Sequence, residues 1–286
     1  MDHVQWDDRP RLRRPVIIAA FEGWNDAADA ASEAARYLKG RWGARPFASI
    51  DPEEFFDFSS TRPQARLGDG LRREIVWPVT EFSAAALPDA SHDVVVLVGT
   101  EPQLRWRTFC AQVVGVATEL QAEMVITLGA LLADVAHTRP VRVTGTAADA
   151  DLVATLGLER STYEGPTGIL GVLQDAFRSS HVQSASLWAA VPHYVAATPS
   201  PKASLALVER AAGLLATQVV TSDLEQRAID YERQVTEVVA TDDDVSAYVR
   251  RLEEAADDTG DEPMQLQSGD VLAAELEKFL REQRGE

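Results

Sequence analysis

Four short runs of the chain are apolar almost without interruption: PVIIAAF (15–21), HDVVVLVGT (92–100), EMVITLGAL (123–131) and SASLWAAVP (184–192). A strand with one wet face alternates apolar and polar side chains. Unbroken runs of this length belong to strands covered on both faces, as in the centre of a parallel sheet. Segments of helical spacing separate them. They include the alanine-rich stretch that follows Phe21, TFCAQVVGVATELQA (108–122) and TGILGVLQDAFRSS (167–180). This alternation predicts an α/β domain of three layers with a mostly parallel central sheet.

Weaker signals fill in the rest. PFASI (46–50) and VRVTG (141–145) read as short strands. REIVWPV (73–79) reads as a strand with Pro78 near its end, hence an edge or terminal position. DPEEFFDFSSTRPQARLGDG (51–70) reads as a loop with three Phe that need cover, and residues 1–14 as a loose polar segment. After Pro201 the pattern turns helical: 202–218, then 221–240 opened by a capping box at Ser222 and Glu225, then 242–258, then 268–282 capped by Ser268. The expected plan is a loose segment at 1–14, an α/β core at 15–218 and acidic helices at 219–286. Those helices must dock on the chain's own body or on a partner.

Charge narrows the function classes. The 286 residues carry a formal charge of −18, and Val219–Glu286 alone holds 19 Asp and Glu against 7 Lys and Arg. Such a chain repels nucleic acid and anionic membrane surfaces. The single cysteine, Cys110, excludes an internal disulfide, and beside Phe109 and Val113 it reads as an inert core thiol. No secretory signal or membrane span is recognisable, so the expectation is a soluble, cytoplasmic protein.

No nucleotide-binding glycine loop, zinc-ligand spacing or G-x-S-x-G elbow is present, and GPTGILG (165–171) reads as a turn and helix start. No cofactor and no metal is expected. What remains is a set of polar and aromatic residues at the carboxyl ends of the strands, the edge where ligands of open α/β sheets bind. The first strand delivers Glu22, Trp24, Asn25 and Asp26; the second Thr100, Glu101, Arg105 and Trp106. The third delivers Gly129, Asp134, His137 and Arg139; the last His193 and Tyr194. These types can supply acids, bases and cationic anchors. They equally suit structural work: Glu22 and Asp26 paired with Arg105 or Arg139, the histidines packed, Trp24 and Trp106 in an interface. Asn25 reads as the N-cap of the first helix, with Asp26 and Asp29 in its first turn. That acidic turn disfavours a phosphate.

FEGWNDA (21–27), GTEPQLRW (99–106), TLGALLADVAHTRPVRVTGTA (127–147) with YEGPTGILG (163–171), and SLWAAVPHYVAATPSPKA (186–203) together resemble the bacterial branch of the proteasome assembly chaperone family, named for the second subunit of the eukaryotic chaperone heterodimer. The resemblance spans about residues 15–285. It implies the phosphorylase/hydrolase-like fold, symmetric homo-oligomers and a role in assembling the proteasome core through its α-subunits. Relatives often dock by a C-terminal hydrophobic-Tyr-any tail, whereas this chain ends Arg284-Gly285-Glu286. Three functions stay open: a non-enzymatic assembly factor or scaffold, a nucleoside- or purine-directed enzyme or binder using Glu22, Asn25, Arg105 and Arg139, and a self-assembling ring.

Overall fold

The computed structural model of the chain describes residues 2–68 and 72–259. Its strands are β1 (Val4–Trp6), β2 (Val16–Glu22), β3 (Arg45–Ile50), β4 (Gln64–Leu67), β5 (Arg73–Val76), β6 (Thr80–Ala85), β7 (Val94–Thr100), β8 (Met124–Ala133), β9 (Val143–Ala147) and β10 (Ser184–Pro192). Its helices are α1 (Ala30–Arg41), α2 (Trp106–Glu119), α3 (Ala150–Leu156), α4 (Ile169–Ser179), α5 (Pro201–Leu214), α6 (Ser222–Val239) and α7 (Asp243–Thr259). The expected helix at 268–282 lies outside the described residues.

One eight-stranded sheet runs in the order β1-β3-β6-β7-β2-β8-β10-β9. The four apolar runs are its centre, β7-β2-β8-β10, and all three pairings among them are parallel. Both flanks are antiparallel. Strand β2 shows why the runs are unbroken. Val16, Ile18 and Ala20 join the core beneath α1 and α5, while Ile17, Ala19 and Phe21 join the core beneath α2 and α4. The sheet therefore has a helical layer on each face.

Helix α1 packs closely because its inner face is small. Ala30, Ala31, Ala34 and Ala35 are all fully buried with Leu38. The opposite core is aromatic: Phe109 meets Phe21 and Phe55 edge-on, at ring separations of 5.7 and 5.3 Å. Phe55 and Phe56 thus find their cover there. Cys110 sits in the same core, where burial pushes its thiol up to about 12.

Several sequence expectations give way. Residues 1–14 are tied down: β1 pairs with β3, and Arg13 grips the buried Asp93 carboxylate at 2.7 Å. The stretch 51–70 holds strand β4, which pairs with β5 in a separate hairpin. Strand β6 and helix α3 were not expected. Helix α6 is opened by Thr221 rather than by the Ser222 box, with the Thr221 hydroxyl donating to Glu225 at 2.5 Å.

The close approach of α1 is testable. Ala34→Leu should lower the unfolding free energy by about 1–3 kcal/mol, because added methylenes must displace packed neighbours. Urea titration would show it. Unchanged stability would mean that α1 does not lie tight against the sheet.

Candidate functional site

The turn after β2 works as a joint between two helices. Helix α4 starts with N–H groups that lack intrahelical partners. The Glu101 carboxylate accepts from Ile169 N–H at 2.8 Å, and its other oxygen accepts from Trp24 N–H at 3.2 Å. The Asn25 side-chain oxygen accepts from Leu170 N–H at 3.5 Å. Space for this contact exists because residue 168 is glycine: a Cβ there would lie 2.1 Å from Asn25 Oδ1. Gly23, at φ +132°, also passes close to Glu101: a Cβ there would lie 3.0 Å from Glu101 Cβ.

Asn25 is therefore not the N-cap of the first helix. Asp29 stands at the N-cap position of α1, and Asp26, ahead of it, satisfies the helix start, its Oδ1 accepting from Ala31 N–H at 2.7 Å and Ser32 N–H at 3.1 Å. The shift arises because residues 27–29 form a 3₁₀ turn in which Ala28 and Asp29 adopt left-handed φ of 52° and 53°. Burial raises the Asp26 pKa against the opposing effect of these hydrogen bonds. Glu22 pairs with Arg36 and accepts from the Thr100 hydroxyl at 3.1 Å.

Neither expected cationic partner reaches these acids. Arg105 pairs with Glu54, and Trp106 donates its indole N–H to Pro102 O. Arg139 makes a two-pronged bond to Asp257, at 2.8 and 2.7 Å, and lies 3.7 Å from Glu253. Both acids belong to α7.

The ends of β8 and β10 are a dock for α6 and α7. His137 is buried between Tyr194 and Thr236 of α6: Tyr194 Oη is 2.9 Å from Nδ1 and Thr236 Oγ1 is 3.0 Å from Nε2. Burial pushes the Tyr194 phenol up to about 12, and its oxygen also accepts from His137 N–H at 2.9 Å. His193 meets Asp134 at 3.1 Å, and Tyr248 of α7 donates to the same carboxylate at 2.9 Å. His193, Tyr194 and Tyr248 stack edge to face. Tyr231, Val235, Val239 and Val249 close an apolar seam over Ala136.

The strand-end residues are thus brought to one edge, and seven of them serve two structural tasks. Glu101, Asn25 and Asp26 cap helices; His137, Arg139, His193 and Tyr194 hold the C-terminal helices. Among the described residues, no three His, Cys, Asp or Glu side chains are grouped to hold a metal ion.

Beside the joint lies an open cleft of about 940 Å³. Trp24, Asn25, Ala130, Arg160, Tyr163 and Trp188 are among its lining residues. Only Trp24 and Asn25 of the sequence-derived set line it. Arg160, Tyr163 and Trp188 are absent from that set, although Tyr163 and Trp188 lie within the motif segments 163–171 and 186–203; no local pattern marks Arg160.

Two outcomes follow from this geometry. Glu101→Ala removes the acceptor of Trp24 and Ile169 together, so it should cost about 1–2 kcal/mol, as the loss of a helix cap does; equal stability in denaturant titration would show the cap is not needed. The second concerns pH. Burial, the largest influence, lowers the His137 pKa below its ordinary 6.5. As pH falls, the unfolded chain takes up this proton first. The stability it confers is full above pH 6.5 and drains as pH drops below it. Wild type should lose more melting temperature than His137→Asn between pH 7.5 and 5.5; matched losses would contradict a neutral, buried His137.

A family model described as the PAC2 family matches residues 20–239. A PAC2 family protein from Streptomyces avermitilis is 45% identical over 82% of this chain and 99% of its own, with a TM-score of 0.77. A Mycobacterium tuberculosis proteasome-assembly chaperone homologue is 45% identical over the same shares, with a TM-score of 0.74. An archaeal proteasome activator from Pyrococcus furiosus is 18% identical over 83% of this chain and 99% of its own, with a TM-score of 0.67, and shares the fold. No curated protein matches.

Proposed function

The chain belongs to the PAC2 family, and from that premise we propose that it is a non-enzymatic assembly chaperone or scaffold acting through protein-protein contacts. Its proposed partners are proteasome α-subunits, and its working form is a homo-oligomer in the cytoplasm. The α/β core, residues 15–218, is read as phosphorylase/hydrolase-like, with residues 219–286 as a separate acidic helical region.

The observation that carries this reading is the β4–β5 hairpin. Every residue of both strands is exposed, and the two strands pair with nothing else. Their register sets Ala65, Leu67 and Ile75 on one side. Leu67 is 67% and Ile75 53% exposed. Trp77 and Val79 extend the apolar run, and Trp77 is anchored edge-on to Phe58 at 4.8 Å. A lone two-stranded hairpin is marginal in water. One that displays large apolar side chains has the character of a contact surface. The 45% identity to a proteasome-assembly chaperone homologue supports a proteasome-related partner.

The enzyme alternative finds less support. Glu22, Asn25, Arg105 and Arg139, which it needs together, are engaged by Arg36, the start of α4, Glu54 and Asp257 respectively. The self-assembling alternative shares the hairpin as its contact surface and is separable by the same experiment.

Light scattering on a sizing column decides among these, with the protein alone and then mixed with bacterial proteasome α-subunits. We expect a co-eluting complex, and at least a roughly ten-fold loss of affinity in the Leu67→Ser/Ile75→Ser double variant, equivalent to about 1.4 kcal/mol. A homo-oligomer that ignores α-subunits, or a complex indifferent to the hairpin, would overturn the proposal.

A further inference from the structure

The cleft beside the β2–α1 turn has a composition that no structural task accounts for. It exists because the sheet is covered unevenly. Helix α4 shields β2 and part of β10. The register sets Thr127, Gly129 and Leu131 of β8 beside Ser186, Trp188 and Ala190 of β10, with Thr144 and Thr146 of β9 beyond them on the same face. Toward the β9 edge this face meets the open cleft.

The lining shows a build. Gly129 leaves room for the Trp188 indole: a Cβ at 129 would fall 2.6 Å from Trp188 Cε3. The ring therefore lies close over the β8 backbone. Trp24, 59% exposed, offers a second indole at the rim. Tyr163 is held in place by donating its hydroxyl to Pro166 O at 2.8 Å. Ser186 and Gln174 are already satisfied, through Thr127 Oγ1 at 2.7 and 3.1 Å, so they present a polar but occupied wall. Among the described residues lining the cleft, Arg160 is the only ionisable group apart from the Tyr163 phenol, and no carboxylate joins it.

We propose that this cleft is a binding site for a small aromatic acid: a flat apolar body carrying one negative charge. The indoles of Trp188 and Trp24 supply π-faces for the body. The Arg160 guanidinium, exposed and facing no acid in the lining, supplies a two-pronged partner for a carboxylate or a similar monoanion. The acidity of the rest of the chain sets an upper limit on ligand charge. At −18, the protein repels polyphosphates, so a single cation suits a single anionic group. The volume of about 940 Å³ lies within the range of roughly 300–1,000 Å³ usual for small-molecule sites. This site does not depend on the assembly-factor reading, and failure to bind α-subunits leaves it standing.

The probe is 8-anilinonaphthalene-1-sulfonate, an aromatic monoanion, with neutral N-phenyl-1-naphthylamine as its uncharged counterpart. Fluorescence titration of the full chain should give one saturable site per chain for the anion. Arg160→Gln should weaken the anion about ten-fold and the neutral probe less than two-fold. The Leu67→Ser/Ile75→Ser variant should bind both probes as wild type does, which separates the cleft from the exposed hairpin. Indole-3-propionate should displace the anionic probe. Equal loss of both probes in Arg160→Gln, loss of the site in the hairpin variant, or displacement only by peptides ending in tryptophan and not by the free acid would each overturn the proposal.

Discussion

A sheet buried on both faces needs helices to cover it, and the helices that follow its strands begin at the strands' carboxyl edge. Each brings unpaired N–H groups to a place with little water. The structure answers with its own side chains. Asp26 serves α1, Glu101 and Asn25 serve α4, and Ser200 serves α5 by accepting from Ala203 N–H at 3.3 Å. The Glu101 contact does more than cap. One carboxylate holds the β2–α1 turn and the start of α4 at once, so the two cannot shift independently. It also places a fixed negative charge where an anionic ligand of a nucleotide-binding sheet would sit. The cleft proposed above lies beside this joint, with its cation supplied by Arg160.

The parts of the fold legible in the sequence are those where local pattern and tertiary burial agree. Strands β2, β7, β8 and β10 announce themselves because both faces are dry. The ones that stayed hidden lack such a pattern. Strand β1 has three residues, the QARL of β4 is exposed on both faces, and TEFSAA in β6 carries Phe82 as its one bulky apolar residue. The caps show a different limit. Asn25 and Asp26 are equally good acceptors for a helix start, and which of them serves α1 depends on the left-handed φ of Ala28 and Asp29, which alanine does not advertise. The place of the strand-end cluster was readable; the roles were not. Arg105 and Arg139 find Glu54 and Asp257, partners 51 and 118 residues away. No local spacing encodes pairs at such range.

The C-terminal helices show how an acidic segment can dock on a body that is itself acidic. The body offers Arg41, Arg139 and Lys202, and the helices answer with Asp223, Asp257 with Glu253, and Glu232. Exposed pairs of this kind contribute about 0–1 kcal/mol each, so they do not hold α6 and α7 by themselves. The apolar seam of Tyr231, Val235, Val239 and Val249 supplies the attraction, and the ion pairs fix where along that seam the helices settle. Docking should therefore respond weakly to salt and more strongly to loss of the neutral His137 at its centre. The acids left over face outward, giving this side of the molecule a negative exterior. The hairpin differs: Arg73, opposite Leu67, shares the face of Ala65, Leu67 and Ile75, while Arg66 and Glu74 lie opposite each other on the other face. A protein partner meets two surfaces of opposite character, and the apolar one with its single arginine is where desolvation favours contact.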